Sequence, residues 1–153
     1  MEHAERTVWL MRHAKAVDAQ PGQADRDRPL GRRGERECAE MRDWLAERMR
    51  AGAQPTVLVS PAERTRRTAE LVLGSDTGEQ REDARIWNAT AAALAALVQE
   101  CPGDLIVVGH NPGLEQVQSA LTGQLMPLPT GGIFELEFGH QGRIRLAARF
   151  EPG

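Results

Sequence analysis

The feature that most restricts the fold is a set of three short apolar runs, residues 7–11 (TVWLM), 56–60 (TVLVS) and 105–109 (LIVVG), continuous rather than alternating. A strand with one wet face alternates apolar and polar residues, whereas a strand covered on both faces is apolar throughout. The runs are too short for core helices, so they predict central strands of a parallel sheet with helices on each side. The intervening sequence supplies those helices. Residues 32–50 place Cys38, Met41, Leu45 and Met49 on one stripe among charged neighbours, and Gly52 follows as a stop. Ser60-Pro61-Ala62-Glu63 has the form of a capping box, with Ser60 as N-cap of a helix running to about Leu73. An alanine-rich helix is expected over 91–100, a turn at Pro102-Gly103, and another helix from Asn111-Pro112-Gly113. Residues 84–87 read as a short strand, and 132–138 with 143–150, separated by Gly-His-Gln-Gly, as a closing hairpin. The expected fold class is α/β: a three-layer αβα sandwich, its sheet mainly parallel with a C-terminal antiparallel hairpin. A single domain over 1–153 is expected, with its core at about 7–150.

Charge and composition exclude several functions. The net charge is −3; residues 1–85 hold 16 basic and 16 acidic groups, and residues 86–153 hold 3 and 6, so neither half is a basic arm. No nucleic-acid partner is expected. Cys38 and Cys101 stand far apart without C-x-x-C spacing, which predicts free core thiols in a reducing compartment rather than a disulfide or zinc framework. The opening MEHAERTVWLMRHAK has only VWLM as an apolar run, too little for a signal-peptide core or a membrane span. The expectation is a cytoplasmic protein with no membrane contact. Of 19 basic residues 18 are Arg, with Lys15 the exception. Arg36, Arg42, Arg48 and Arg67 read as helix-surface residues, and Arg48→Lys is expected to be silent.

In an open α/β sheet, ligands bind beyond the carboxyl ends of the strands. The first run is followed there by Arg12-His13, the second by Ser60-Pro61 and then Arg64 in the first turn of a helix, and the third by Gly109-His110-Asn111-Pro112. Two arginines and two histidines therefore converge on one rim. Such a set suits a phosphate group: guanidinium forks bind its oxygens bidentately, and helix N-termini add donors. An imidazole kept neutral by nearby positive charge is a competent nucleophile, and a second imidazole can donate to a phosphoryl oxygen. No metal or cofactor is called for. Taken singly, each string has a plainer reading, as a helix start with a solvated arginine or a turn whose histidine satisfies a carbonyl. His3, in a tail, and His140, in the hairpin turn, read as surface. The polar stretch 16–29 is either loose or a rim over the site.

The strings LMRHAKA, VSPAERTRRTAEL and VVGHNPGLE resemble the histidine phosphatase superfamily, also called phosphoglycerate mutase-like. Arg-His-Ala, Asp27-Arg28-Pro29-Leu30 with Gly34, the stretch IWNATAAALAALV and Pro129-Thr130-Gly131 are similar to its short SixA-type phosphohistidine phosphatase branch. The resemblance implies that His13 is a nucleophile that becomes phosphorylated, and that Arg12, Arg64 and His110 hold and polarise the phosphoryl group before water releases it. It implies a metal-independent phosphatase and a phosphorylated partner, a histidine-phosphorylated protein first. The oligomeric state stays open. The acidic residue with which larger members protonate an alcohol leaving group has no clear counterpart near Trp87-Asn88; Asp18, Asp25, Asp27 and Glu115 are stand-ins. Arg28 is a further phosphate contact to consider at the rim. A small-molecule phosphomonoesterase, a non-catalytic phosphate-binding module on the same fold, and a metal site on His13 and His110 remain alternatives.

Overall fold

The computed structural model describes residues 5–74 and 77–153. His3, read as surface, lies outside them. Six strands, β1 (Arg6–Arg12), β2 (Thr56–Val59), β3 (Gln80–Glu82), β4 (Leu105–Gly109), β5 (Ile133–Phe138) and β6 (Ile144–Phe150), form one sheet in the order β3-β2-β4-β1-β5-β6. The first three junctions are parallel; β1 to β5 and β5 to β6 are antiparallel. Four helices, α1 (Arg32–Arg48), α2 (Glu63–Leu73), α3 (Ala91–Glu100) and α4 (Gly113–Thr122), complete the α/β sandwich.

Both faces of the central strands are covered, which is why their sequences do not alternate. Val8 and Leu10 of β1, Leu58 of β2, and Leu105 and Val107 of β4 pack with Leu94, Leu97, Val98, Leu114 and Val117 of α3 and α4. Their neighbours Trp9, Met11, Val57, Val59, Ile106 and Val108 pack with Cys38, Met41, Leu45, Ala69, Val72 and Leu73 of α1 and α2. Successive side chains point to opposite sides, so each strand feeds two cores. Cys38 and Cys101 are free, buried, and belong to different faces.

Three local expectations need correction. The helix after β2 starts at Glu63 with Ala62 as its N-cap and no side-chain cap, so Ser60 is not the capping residue. Pro61 does not open that helix. Residues 84–87 are not a strand: Ala84–Ile86 form a 3-10 turn capped by Asp83, and the edge strand lies just before, at β3. Helix α1 ends at Arg48, where Met49 turns to an extended conformation and closes the last turn with its N–H on the Leu45 carbonyl at 2.8 Å.

Arg48 is also more than a helix-surface charge. It forks onto the buried Glu135 carboxylate of β5, Nε to Oε1 at 3.1 Å and Nη2 to Oε2 at 2.7 Å. The polar stretch 16–29 is held rather than loose. Ala16 bridges Leu30, a 3-10 turn forms at Asp25–Asp27, and Arg28 Nε donates to the Val17 carbonyl at 2.8 Å.

Candidate active site

The strand register assembles the site. Arg12 stands opposite Gly109 across the β1–β4 ladder, and Val59 stands opposite Val108 across β2–β4. The residues that leave the sheet at these ends, Arg12-His13, Ser60 and His110, therefore emerge side by side. Arg64 joins them from the first turn of α2. All four predicted site residues, Arg12, His13, Arg64 and His110, line one cavity of about 260 Å³ with Lys15, Ala16, Arg28, Asn111 and Thr130. No carboxylate is among these lining residues.

The backbone around His13 is clamped from four sides. Its N–H donates to the Gly109 carbonyl at 3.2 Å and its carbonyl accepts from Gly131 N–H at 2.9 Å. Ala14 N–H donates to Thr68 Oγ1 at 3.0 Å, and that hydroxyl donates to the Arg64 carbonyl at 2.7 Å, so α2 fixes both the loop and its own arginine. Lys15 N–H donates to the buried Glu37 of α1 at 2.8 Å. At Gly34 a Cβ would collide with the Lys15 backbone, so only glycine lets α1 approach this closely.

The imidazole of His13 is nearly enclosed. Its Nδ1 lies 2.8 Å from the Ala14 carbonyl, and because a carbonyl only accepts, Nδ1 carries the hydrogen and Nε2 keeps its lone pair. Burial pushes the pKa down to about 3; the Ala14 bond works against this, while His110, Arg64 and Arg12 add to it by charge repulsion. The ring is therefore neutral at physiological pH.

His110 sits with its ring centre 5.4 Å from that of His13 and 5.3 Å from Trp87, which it meets edge-on at 89°. Its Nε2 is 2.7 Å from Ser60 Oγ. Its Nδ1 is buried and has no hydrogen-bond partner among the described residues. Burial first, and then Arg64 and Arg12, push its pKa down to about 4, against the nearby Asp25. Arg12 is pinned through Nη1 to the Leu128 carbonyl at 2.8 Å, and its Nε is buried without a partner among the described residues. Burial lowers its pKa; Glu115 and Glu37 oppose that. Asn111 Nδ2 donates to the same Leu128 carbonyl at 2.8 Å and to Glu115 Oε2 at 2.9 Å, while Leu128 N–H donates to Glu115 Oε2 at 2.7 Å. Glu115 thus holds the 128 loop against α4.

Arg64 is buried, with its guanidinium 5.5 Å from the Trp87 ring centre. Both of its terminal nitrogens meet Asp25, Nη1 on the carbonyl at 2.9 Å and Nη2 on the carboxylate at 3.1 Å. Arg28 Nη1 takes the other Asp25 oxygen at 3.0 Å. Hydrogen bonding to Arg28 is the main reason that the Asp25 carboxyl is held below its usual pKa, with Arg64 acting in the same direction. The stretch 16–29 is therefore a rim, tied to the site by Asp25. Asp18 and Asp27 are exposed and outside the lining.

Sequence reasoning missed four residues that shape this site: Ser60, Thr68, Glu37 and Trp87. Thr68 had a usable signal, since it lies four residues after Arg64 and so shares its helix face. The apparent capping box masked Ser60. Glu37 carried no local signal, and Trp87 stood in the resembling stretch IWNATAAALAALV with no role assigned to it.

Residues 8–86, just over half of the chain, match the family model of the histidine phosphatase superfamily (branch 1). The chain belongs to the histidine phosphatase superfamily. The sheet order and layers are those of the phosphoglycerate mutase-like fold, in agreement with solved members. A chain from Agrobacterium tumefaciens assigned as the phosphohistidine phosphatase SixA is 28% identical, with a TM-score of 0.85 over 96% of this chain and 98% of that one. The protein histidine phosphatase SixA in complex with tungstate is 25% identical, with a TM-score of 0.77 over 95% of this chain and 97% of that one. A chain from Escherichia coli assigned as an α-ribazole-5'-P phosphatase shares the fold, at 18% identity and a TM-score of 0.74 over 95% and 97% of the two chains. No curated protein matches this histidine phosphatase by sequence. No helix among the described residues is long and apolar enough to cross a membrane.

Proposed function

We propose that this histidine phosphatase removes the phosphoryl group from phosphohistidine on a protein, through a covalent phosphohistidine formed on its own His13. The observation that carries the reading is a neutral His13 whose Nδ1–H is committed to the Ala14 carbonyl. Its Nε2 lone pair lies in a cavity shared with Arg12, Arg64 and His110. In the first step that lone pair attacks phosphorus, the His13 Nε2–P bond forms, and the bond from phosphorus to the leaving nitrogen breaks with its electron pair going to that nitrogen. Arg12, Arg64 and His110 stabilise the charge on the phosphoryl oxygens, so no metal is required. In the second step water attacks phosphorus, the His13–P bond breaks back to the Nε2 lone pair, and orthophosphate leaves with the proton balance closed by solvent.

The leaving group follows from the carboxylates. Glu115 stands outside the cavity lining with its Oε2 taken by Asn111 and Leu128, and Asp25 is ion-paired and held ionised, so no carboxylate stands among the residues lining the cavity to donate a proton to an alkoxide. A substrate imidazole protonated on its second nitrogen departs as a neutral ring and needs no such donor. General-acid assistance is typically worth about 10²- to 10⁴-fold, a factor that alkyl phosphates would lose here. Two buried free thiols suit work in a reducing compartment such as the cytoplasm, and the whole of residues 7–150 is read as one phosphatase domain.

The test is to mix the protein with a radiolabelled phosphohistidine peptide, quench, and look for an acid-labile, alkali-stable phosphoprotein. Label is expected on the wild type and lost in His13→Ala; an adduct that survives that substitution defeats the assignment. A panel of phosphomonoesters run beside the peptide separates the alternatives. Fast turnover of an alkyl phosphate would make the protein a small-molecule phosphomonoesterase, and stoichiometric phosphate binding without turnover would make it a binding module.

A further inference from the structure

We infer that Ser60 is a positioning residue: its hydroxyl donates to His110 Nε2 and so holds the His110 ring in the tautomer that carries its proton on Nδ1. Nothing in a sequence motif calls for this, because Ser60 reads as a helix cap. The structure removes that role, since α2 is capped at Ala62 without a side-chain bond.

Hydrogen balance at a buried hydroxyl decides the tautomer. Ser60 is fully buried, and its Oγ has two neighbours, the Ala62 N–H at 3.5 Å and His110 Nε2 at 2.7 Å. The amide can only donate, so Oγ accepts there. Among the described residues the hydroxyl hydrogen then has one acceptor, the Nε2 lone pair. The reverse assignment, Nε2–H donating to Oγ, would strand the hydroxyl hydrogen of the fully buried Ser60, which buried polar groups avoid. With Nε2 as acceptor, the proton of a neutral imidazole must sit on Nδ1. The ring is neutral at pH 7, so a single tautomer is at issue.

The consequence reaches the phosphate site. Nδ1 is the His110 nitrogen left without a partner among the described residues. Nδ1–H is thus a buried donor with no protein acceptor among the described residues, able to bind a ligand oxygen that reaches it, whereas a bare lone pair would repel one. The Trp87 edge and the Ser60 bond together keep the ring from turning over to exchange the two nitrogens.

This inference rests on the proposed phosphoryl chemistry for its catalytic effect but not for its structural content, and the test separates the two. Ring-¹⁵N histidine NMR on ligand-free protein at pH 7, with His110 assigned through a His110→Gln spectrum, reads the tautomer directly. The wild type is expected to show a protonated Nδ1 and an unprotonated Nε2, and Ser60→Ala to shift the proton toward Nε2. A wild-type ring with its proton on Nε2, or a Ser60→Ala ring unchanged from wild type, overturns the inference whatever the activity. In turnover, Ser60→Ala is expected to lower kcat by about tenfold, less than loss of a direct oxyanion donor, with KM moved much less. Ser60→Thr, which keeps the hydroxyl, is expected to restore both tautomer and rate; a Thr variant that restores the tautomer but not the rate would detach the serine from catalysis. If no substrate is turned over by the wild type, the function proposed above fails while the NMR result still decides the role of Ser60.

Discussion

Within the site, Arg12 and Arg64 each use the planar fork of arginine. Arg12 already spends Nη1 on the Leu128 carbonyl and keeps its Nε buried without a partner among the described residues, and Arg64 presents both terminal nitrogens to Asp25, one to its carbonyl and one to its carboxylate. Lysine offers a point charge on a flexible stem and can reproduce neither arrangement. Arg12→Lys and Arg64→Lys are each expected to lower kcat/KM by about 10²- to 10³-fold, measured on whichever phosphorylated substrate proves fastest; losses under threefold would mean that charge alone suffices. Asp25 has the opposite sign. Its carboxylate occupies Arg64 Nη2, and Asp25→Ala, which frees that nitrogen for an anion, is expected to tighten inhibition by inorganic phosphate by a few fold. An unchanged inhibition constant would mean that substrate and Asp25 bind Arg64 without competing. Of the site residues, Arg12, His13, Arg64 and His110 were legible because each follows a strand end. Ser60 and Asp25 act through contacts with partners 50 and 39 residues away, and no local pattern encodes such pairings.

At the scale of the elements, burial explains what sequence could and could not reveal. The runs that became β1, β2 and β4 were readable because double-sided burial leaves no polar position in them, and α3 matched its expected span because Thr90 is a true cap, accepting from Ala93 N–H at 3.1 Å. The edge strand β3 was missed because its residues Gln80, Arg81 and Glu82 are exposed and take their strand form by pairing with β2. Arg48 shows the same limit for a side chain. Its partner Glu135 lies buried in β5, 87 residues away, and also accepts from Trp9 Nε1 at 3.1 Å. A lysine would satisfy one of the two carboxylate oxygens, so Arg48→Lys is expected to cost about 1 kcal/mol. That corresponds to about 2–4 °C in Tm for a chain of this size. Turnover should be unchanged, because Glu135 faces away from the cavity that holds His13. Calorimetry and kinetics on the one variant check both halves; an undiminished Tm would return Arg48 to the solvated surface.

The whole molecule carries the cost of its site as a dependence on pH. His13 and His110 are held neutral by burial, with pKa values pushed from 6.5 down to about 3 and about 4. In the unfolded chain both rings titrate near 6.5, so between that value and about 4 the unfolded state binds protons that the folded state refuses. Stability therefore falls as the pH falls through this window, by at most about 1.4 kcal/mol per pH unit for each ring. The carboxylates act elsewhere. Asp25 and Asp83 are lowered from 3.8, chiefly by Arg28 and Arg85, so their contribution is intact above that value and is lost only below it. The range from pH 6.5 to 4.5 thus lies above the window of these two carboxylates. Thermal unfolding of the wild type is expected to move to lower temperature across that range, and a His13→Asn, His110→Gln protein to follow a flatter curve. His3 and His140 are present in both proteins and cancel in the comparison. Parallel curves would mean that the rings accept protons in place, and a site that tolerates a charged His13 could not keep the Nε2 lone pair on which attack at phosphorus depends.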